Sequence, residues 1–271
     1  MRVAHAHEIV LDRLSVRVTT GGPRTILADA SLTVAPRDVV AIIGPSGGGK
    51  STLLKAILGL VPFTSGGITF RGTAVTRPLD RTHRRLRAAA EAVFQNPVAA
   101  LNPHRTLRHT MAEPLVAAGM KRPARHHRVE TMAARMGLAA DVLDRRPRAV
   151  SVGQAQRAAI ARALAPGPSL LFLDEPLSAL DAVVAHNVSD LLAETIREVR
   201  PTVLMVSHDL RTVRQMANRV IVVEAGQIVE DAPTTRFMEA PVSEAGRALV
   251  ASDRNRRAVF EAASTALEDA S

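Results

Sequence analysis

Closely spaced glycines, a lysine and three hydroxyl side chains come together between residues 44 and 52. In order, the residues are Gly44, Pro45, Ser46, Gly47, Gly48, Gly49, Lys50, Ser51 and Thr52. This segment fits the pattern G-x-x-x-x-G-K-[ST], in which glycines let successive backbone N–H groups converge on phosphate oxygens at the start of a helix. Lys50 supplies positive charge for the terminal phosphates, and the Ser51 hydroxyl suits Mg²⁺. The segment therefore predicts a phosphate-binding loop for a nucleotide.

Two adjacent carboxylates, Asp174 and Glu175, follow the apolar run LLFL. A strand of this kind delivers side chains to the carboxyl edge of an open α/β sheet, which is where such sheets hold ligands. We expect Asp174 to hold Mg²⁺ through water and Glu175 to be the general base that polarises an attacking water molecule. The alternative, a pair that only caps the next helix, is weakened by the presence of the phosphate-binding loop.

The hydrophobic pattern predicts the elements that position these residues. Apolar or alternating runs predict strands, and 3.6-residue periodicity predicts helices. We predict strands over 9–18, 38–43, 169–173, 202–206, 220–223 and 227–229, helices over 50–60, 81–90 and 182–199, and a turn at 21–23. Apolar strands that alternate with helices imply a parallel sheet covered on both faces.

The character of the chain changes to helical, rich in Ala, Arg and Met, from about residue 96 to residue 165. We therefore divide the chain into 1–95, the first part of a sheet core with the phosphate-binding loop; 96–165, an inserted helical subdomain; 166–232, the second part of the core; and 233–271, a helical tail.

The composition excludes several classes of protein. The 271 residues include 35 basic and 26 acidic side chains, for a net charge of +9, and no cysteine. Disulfides, thiolate zinc sites and cysteine-bound iron–sulfur clusters are therefore excluded. No apolar run approaches the roughly 18–20 residues that cross a bilayer, and the first residues do not resemble a secretory signal, so we expect a cytoplasmic protein. The absence of Trp and Tyr argues against a binder of single-stranded nucleic acid.

Four further short motifs accompany the loop and the paired carboxylates in a fixed order. They are Gln95 in VFQNP, the run Ser151, Val152, Gly153 and Gln154, Asp181 in SALD, and His208 in VSHDL. Over roughly residues 8–232 the chain resembles the nucleotide-binding subunits of ATP-binding cassette (ABC) transporters. The resemblance implies an α/β fold: a P-loop NTPase with a RecA-like core, an antiparallel β-subdomain and an inserted α-helical subdomain.

The resemblance also implies a role for each motif. Gln95 would touch Mg²⁺ and meet the membrane subunits, Asp181 would belong to the D-loop, and His208 would lie near the γ-phosphate. The run from 151 to 154, the signature segment, would complete the ATP site of an opposite subunit with a helix N-terminus. With ATP and Mg²⁺ as cofactors, the implied catalytic residues are Glu175, His208 and Lys50, and the implied metal ligands are Ser51, Gln95 and Asp174.

Two longer stretches, FQNPVAALNPHRTL and RVIVVEAGQIVEDAP, are similar to the ATPases of dipeptide, oligopeptide and nickel importers. This likeness implies transmembrane permease subunits as partners and a second, different ABC ATPase, so that a heterodimer is favoured over a homodimer. It also implies an extracellular solute-binding protein as an indirect partner, a position on the cytoplasmic face of the cell membrane, and no nucleic acid.

The chain departs from this family at two positions that bear on ATP. Val152 stands where the family has glycine, and a β-branched side chain limits close approach to a phosphate-binding helix end. The aromatic residue that stacks on adenine in the family falls near Val18. We therefore expect a weakened composite site and a reduced affinity for ATP unless another residue compensates.

Two other functions remain as alternatives to transport. One is an ABC ATPase that acts on DNA or ribosomes, which the net positive charge would suit; this chain carries one copy of the motifs and no long coiled-coil insertion. The other is a degenerate cassette that only binds ATP. The histidines at 5, 7, 104, 109, 126 and 127 suggest no metal site, because their segments lack i,i+4 pairing and acidic partners.

Overall fold

The structure is a computed structural model that describes residues 7–18, 22–75 and 80–255. The strands in this part of the chain are β1 (Ile9–Val18), β2 (Arg24–Val34), β3 (Val39–Ile43), β4 (Ser65–Phe70), β5 (Thr73–Val75), β6 (Ala90–Val93), β7 (Leu170–Asp174), β8 (Thr202–Val206), β9 (Arg219–Glu224) and β10 (Gln227–Pro233). The helices are α1 (Lys50–Ile57), α2 (Arg81–Ala89), α3 (Pro97–Ala100), α4 (Leu107–Ala117), α5 (Arg122–Arg135), α6 (Ala140–Leu143), α7 (Val152–Leu164), α8 (Ala182–Val199), α9 (Leu210–Met216), α10 (Thr234–Glu239) and α11 (244–255).

A six-stranded sheet in the order β10-β9-β3-β8-β7-β6 forms the centre of the fold. Its strands are parallel, except that β10 runs antiparallel to β9. The five residues of β3, VVAII, are all buried, as expected of a strand that is covered on both faces. Because the strands are parallel, β3, β8, β7 and β6 all end at the same edge of the sheet.

The two faces of this sheet are covered by different layers, and alternate residues of each strand enter different cores. Val40 and Ile42 pack with α1 and with a second, antiparallel sheet in the order β2-β1-β4-β5. Val39, Ala41 and Ile43 pack in the other core, with residues of α4, α5, α7, α8 and α9. The predicted parallel sheet with two covered faces is therefore confirmed, and an antiparallel sheet forms one of the covering layers.

Most predicted elements are present, with shifted ends. The strands predicted over 9–18 and 202–206 and the helix over 182–199 have the predicted bounds. The helix predicted over 50–60 ends at Ile57, because Gly59 adopts a left-handed φ of 66° and its N–H turns back to the carbonyl of Ala56. The strand predicted over 169–173 lies one residue later and includes Asp174, and the strand predicted over 227–229 continues to Pro233.

Three predictions fall partly outside the described residues: the turn at 21–23, the division of the chain at its two ends, and the helical tail beyond residue 255. Within the described part, residues 97–164 are mainly helical, and α10 and α11 follow β10. The strand β2 is a feature that the hydrophobic pattern did not delimit. It pairs along its length with β1, and Leu27, Ala30, Leu32 and Val34 are buried.

A buried carboxylate attaches the last described helix to the core. Glu230, in β10, is 6% exposed. It accepts hydrogen bonds from the backbone N–H groups of Val242 and Ser243, each at 2.9 Å, and from the Ser243 hydroxyl at 2.6 Å. Further along the helix, Asp253 pairs with Arg214 of α9 at 2.5 Å. Glu230 therefore fixes the segment that leads into α11.

We predict that Glu230→Gln lowers the free energy of unfolding at neutral pH by about 1–3 kcal/mol, because an amide cannot replace a carboxylate that accepts three hydrogen bonds. Burial raises the pKa of Glu230, but the bonds from Ser243 and Val242 outweigh burial and hold the pKa below its usual value of 4.5. The contribution is therefore present above that pH and is lost as the pH falls through the lowered pKa.

Urea unfolding from pH 3 to pH 7, with hydrogen exchange of residues 244–255, measures this effect. Glu239→Gln, at an exposed position in α10, is the matched control and should leave both readouts unchanged. A Glu230→Gln variant with wild-type stability at pH 7 and wild-type protection of α11 contradicts the assignment.

Candidate functional site

The glycine-rich segment forms a tight loop between β3 and α1, as predicted. Gly44 has a φ of 141°, and a Cβ atom there would lie 2.0 Å from the backbone oxygen of Val223 in β9. Only glycine fits at this point, because the loop passes directly over the neighbouring strand. The loop ends at Gly49, the N-cap of α1, so that the first N–H groups of the helix open towards the loop.

Lys50, the first residue of α1, lies across this loop. Its ammonium donates hydrogen bonds to the carbonyl oxygens of Gly44, at 2.9 Å, and Pro45, at 2.7 Å. Burial lowers the pKa of the Lys50 ammonium, and the carboxylates of Glu175 and Asp174 partly offset this effect. The charge of Lys50 therefore lies between the loop and the carboxylates of Asp174 and Glu175.

Ser51 and Asp174 are in direct contact although 123 positions separate them in sequence. The Ser51 hydroxyl donates to Asp174 Oδ1 at 2.8 Å. Asp174 is the last residue of β7 and is only 4% exposed. Two side-chain oxygen atoms thus meet beside the glycine-rich loop, and oxygen atoms of this kind suit Mg²⁺.

Glu175 lies at the centre of the polar groups at this edge. Its backbone has a left-handed φ of 49°, and its N–H donates to the carbonyl of Val206 at 3.0 Å. The carboxylate accepts a hydrogen bond from Gln95 Nε2 at 3.1 Å, and its Oε1 lies 3.7 Å from His208 Nδ1. A strained backbone at a non-glycine residue is a feature of functional sites. The side chain contacts residues that follow two other strands, β6 and β8.

The signature segment does not line this cleft. Ser151 and Gln154 form a reciprocal capping box at the N-terminus of α7. Val152 begins the helix and is 53% exposed. A Cβ atom on Gly153 would lie 3.3 Å from Leu180, next to Asp181, so the start of α7 lies close to the SALD motif. Asp181 caps α8 through the Val184 N–H.

Two residues of β2 form part of the cleft, and the sequence motifs did not predict them. Arg24 and Ile26 line it together with the loop residues 46–52, Gln95 and Glu175. Val18, the position expected to face adenine, is not among the described lining residues and pairs with Arg24 across the antiparallel sheet. The alternating pattern of β2 could have indicated a strand here, but not its position beside the loop.

The sequence motifs also did not predict the position of a buried glutamine near the site. Gln156, in α7, is fully buried, and its Nε2 donates to the backbone oxygen of Pro176. It therefore connects the signature helix to the residue after Glu175. Glu91 in β6 is half-buried. Its partial burial raises the pKa of its carboxyl to about 7, against the opposing effect of Arg162 in α7.

The histidines differ in one respect from the expectation. His126 does have an acidic i,i+4 partner, since its Nδ1 lies 3.4 Å from Glu130 Oε2; both side chains lie on the outer face of α5. Within the described ranges, no three His, Cys, Asp or Glu residues are arranged to hold a metal ion. None of the helices described there is both long and apolar enough to cross a membrane.

Comparison with known proteins agrees with this geometry. A family model described as "ABC transporter" matches residues 27–178. The nickel import ATP-binding protein NikE of Rhodospirillum rubrum is 40% identical over 226 residues, which span 82% of this chain and 81% of the relative. The methionine import ATP-binding protein MetN of Corynebacterium glutamicum is 38% identical over 227 residues, 84% of this chain and 62% of the relative.

The fold is also similar to a solved structure, the dimeric post-hydrolysis state of an ATP-binding cassette bound to ADP and Pi. The TM-score is 0.76 at 28% identity, and the match covers 83% of this chain and 98% of the other. Sequence, fold and the convergence of Ser51, Asp174 and Glu175 at one edge of the sheet lead to one conclusion: the chain belongs to the ABC transporter family and has the ATP-binding cassette fold of its ATPases.

Proposed function

We propose that this chain is the ATP-hydrolysing subunit of an ABC importer for peptide, nickel or a related small solute. The observation that carries the proposal is the contact of Glu175 with Gln95 and His208, beside the Ser51–Asp174 pair. A general base, a switch histidine and a pair of oxygen ligands are thus gathered next to a phosphate-binding loop. The names of the relatives, which are importer ATPases for nickel and methionine, favour import.

Within this proposal the loop residues from Gly44 to Thr52, apart from Pro45, bind the ATP phosphates through their N–H groups, and Lys50 contacts the terminal phosphates. Glu175 accepts a proton from the attacking water as general base. His208, 3.7 Å from Glu175, orients the γ-phosphate and the base relative to each other. Displacement of Lys50 from the loop carbonyls would accompany the entry of phosphate oxygens.

Ser51, Asp174 and Gln95 are the residues that would hold Mg²⁺. The fit is supported by the 2.8 Å contact between Ser51 and Asp174, both oxygen donors. The Gln95 amide donates its N–H to Glu175, which leaves its carbonyl oxygen as an acceptor. The ion would neutralise charge on the β- and γ-phosphates.

The exposed start of α7 suits a site shared between two cassettes. An N-terminus with a capping box satisfies two of its backbone N–H groups and leaves others open to a ligand. In our proposal this end, with Gly153 and Gln154, completes the ATP site of a second ABC ATPase. Val152 weakens ATP binding and hydrolysis at that composite site, compared with the second composite site of the same dimer. The two sites are therefore unequal.

We further propose a heterodimer of ATPases beneath transmembrane permease subunits, on the cytoplasmic face of the cell membrane. An extracellular solute-binding protein would deliver the cargo to the permeases and would not touch this chain. Of the alternatives, a cassette that only binds ATP is disfavoured because Lys50, Asp174, Glu175 and His208 form a complete set. Action on nucleic acid is supported only by net charge, which is not specific.

We predict that Glu175→Gln lowers ATP turnover by about 10²- to 10⁴-fold, the usual contribution of a general base. ATP affinity should persist, because the loop and Lys50 are unchanged. Turnover is measured on the assembled complex, and binding is measured by calorimetry on the full chain.

Glu113→Gln, the same change at an exposed glutamate of α4, is the control and should leave turnover unchanged. A wild-type complex that hydrolyses ATP no faster than the Glu175→Gln complex would instead support a cassette that only binds nucleotide.

We predict that Val152→Gly raises the turnover of the assembled complex, up to about a doubling, because the second of two ATP sites would then turn over like the first. Removing the half-exposed, β-branched side chain lets phosphate approach the N–H groups of α7. Val199→Gly, at the far end of α8, is a control for the general effect of glycine in a helix. An unchanged turnover rate in the Val152→Gly complex would contradict the proposal that the two ATP sites are unequal.

Purification of the tagged chain from its host in mild detergent tests the partners. We expect two permeases and a second, different cassette in the mass spectrum of the purified material. Recovery of permeases with this cassette alone would mean a homodimer, in which both composite sites carry Val152. Ribosomal or DNA-associated partners without membrane proteins would contradict the transporter proposal but would not contradict the proposed ATP site.

A further inference from the structure

The strand β2 passes beside the end of the phosphate-binding loop. The carbonyl oxygen of Ile26 lies 2.8 Å from the place that a Cβ atom on Gly49 would occupy. Two residues later, the Ala28 N–H donates to the carbonyl of Gly226, at 2.9 Å. The turn between β9 and β10 therefore packs against β2 at this point. Arg24, two residues before Ile26, is exposed.

Arg24 and Ile26 form a continuous wall beyond the loop. Ile26 is the extra residue of a β-bulge, because Val16 pairs with Leu27 and Arg17 pairs with Thr25, and a bulge redirects the side chains of the bulged strand. Both line the cleft. A nucleotide whose phosphates lie on the N–H groups at Gly49 and Lys50 must place its sugar and base outside the loop, where this wall begins.

The described residues that line the cleft offer no aromatic ring to a base. The sequence contains no Trp or Tyr, and none of the five described phenylalanines lines the cleft. A guanidinium group is planar, stacks on aromatic faces and adds an electrostatic attraction to the π system. Arg24 is exposed, and its side chain makes no hydrogen bond or ion pair with the part of the chain that the structure describes.

We infer that Arg24 is the adenine platform of this cassette, with its guanidinium plane against one face of the base and Ile26 packing beside it. The inference rests on the proposed ATP site and adds to it the residue that recognises the base. It also accounts for Val18, because the strand position that pairs with Val18 carries the planar group.

A charged side chain could instead contact the phosphates, and a ligand without a base separates the two roles. The dissociation constants of ATP and of inorganic triphosphate are measured by calorimetry on the full chain with Mg²⁺. For Arg24→Ala we expect about 5- to 10-fold weaker binding of ATP and unchanged binding of triphosphate. Arg24→Lys should be as weak as Arg24→Ala, because an ammonium has no plane, and Arg24→Tyr should restore binding.

Arg17→Ala is the matched control: Arg17 is an exposed arginine of β1 that pairs with Thr25 and does not line the cleft. The inference would be overturned in favour of a phosphate contact if Arg24→Ala weakened the binding of ATP and of triphosphate equally and Arg24→Lys kept wild-type affinity for both. Wild-type affinity in Arg24→Ala would also overturn it, while leaving the proposed function intact. A wild-type chain that binds neither ligand would refute the proposed function itself.

Discussion

The parallel register of β3, β8, β7 and β6 is the constraint on which the site depends. Ile42, Val206 and Asp174 are level with one another across three neighbouring strands. At this register Asp174 lies on the same face as Phe172, the face that packs on α1, and so it reaches Ser51. A slip of one residue would turn Asp174 to the opposite face. Glu175 would then lose its backbone hydrogen bond to Val206.

The same register brings together groups that are remote in sequence. Each of the four strands ends at one edge, and the residues that follow them supply the loop, His208, Glu175 and Gln95. The left-handed backbone of Glu175 turns its carboxylate out of the strand direction and between Gln95 and His208. A strain of order 1–3 kcal/mol at such a residue is sustained by the packing of the sheet around it.

The helical segment is linked to this edge through two polar groups, one buried and one half-buried. Gln156 of α7 donates to the backbone just after Glu175. Glu91 of β6 faces Arg162 of the same helix, and burial raises the pKa of Glu91 to about 7. Because this pKa is raised, the associated stability is full at low pH and is lost as the pH rises through about 7. The strand that precedes Gln95 packs against the helix that begins at Val152, and the charge of Glu91 in that strand changes near neutral pH.

Local patterns predicted the strands and the loop at this edge well because each of these elements carries a strong signal of its own. Buried strands such as β7 read as unbroken apolar runs, and the loop has a fixed chemical pattern. Local sequence patterns could not predict where Arg24 and Gln156 lie in the fold. Their positions depend on how β2 crosses the end of the loop and how α7 packs on β7, and neither packing leaves a periodic trace in the sequence. The end of α1 was misplaced because Leu58 and Leu60 continue the apolar pattern past the turn at Gly59.

Recognition of phosphate and recognition of the base are therefore subject to different physical limits in this fold. In the proposed ATP site the phosphates meet backbone N–H groups, and the path of that backbone admits no side chain at Gly44, where a Cβ atom would collide with Val223. The wall beyond the loop is made of side chains on an exposed strand end, where Arg24 can be exchanged for another residue without moving the backbone. A planar group in that wall can come from either β1 or β2, because the paired positions Val18 and Arg24 are adjacent. In our inference the planar group of Arg24, on β2, takes the place of an aromatic residue at the paired position of β1, and the loop is unchanged.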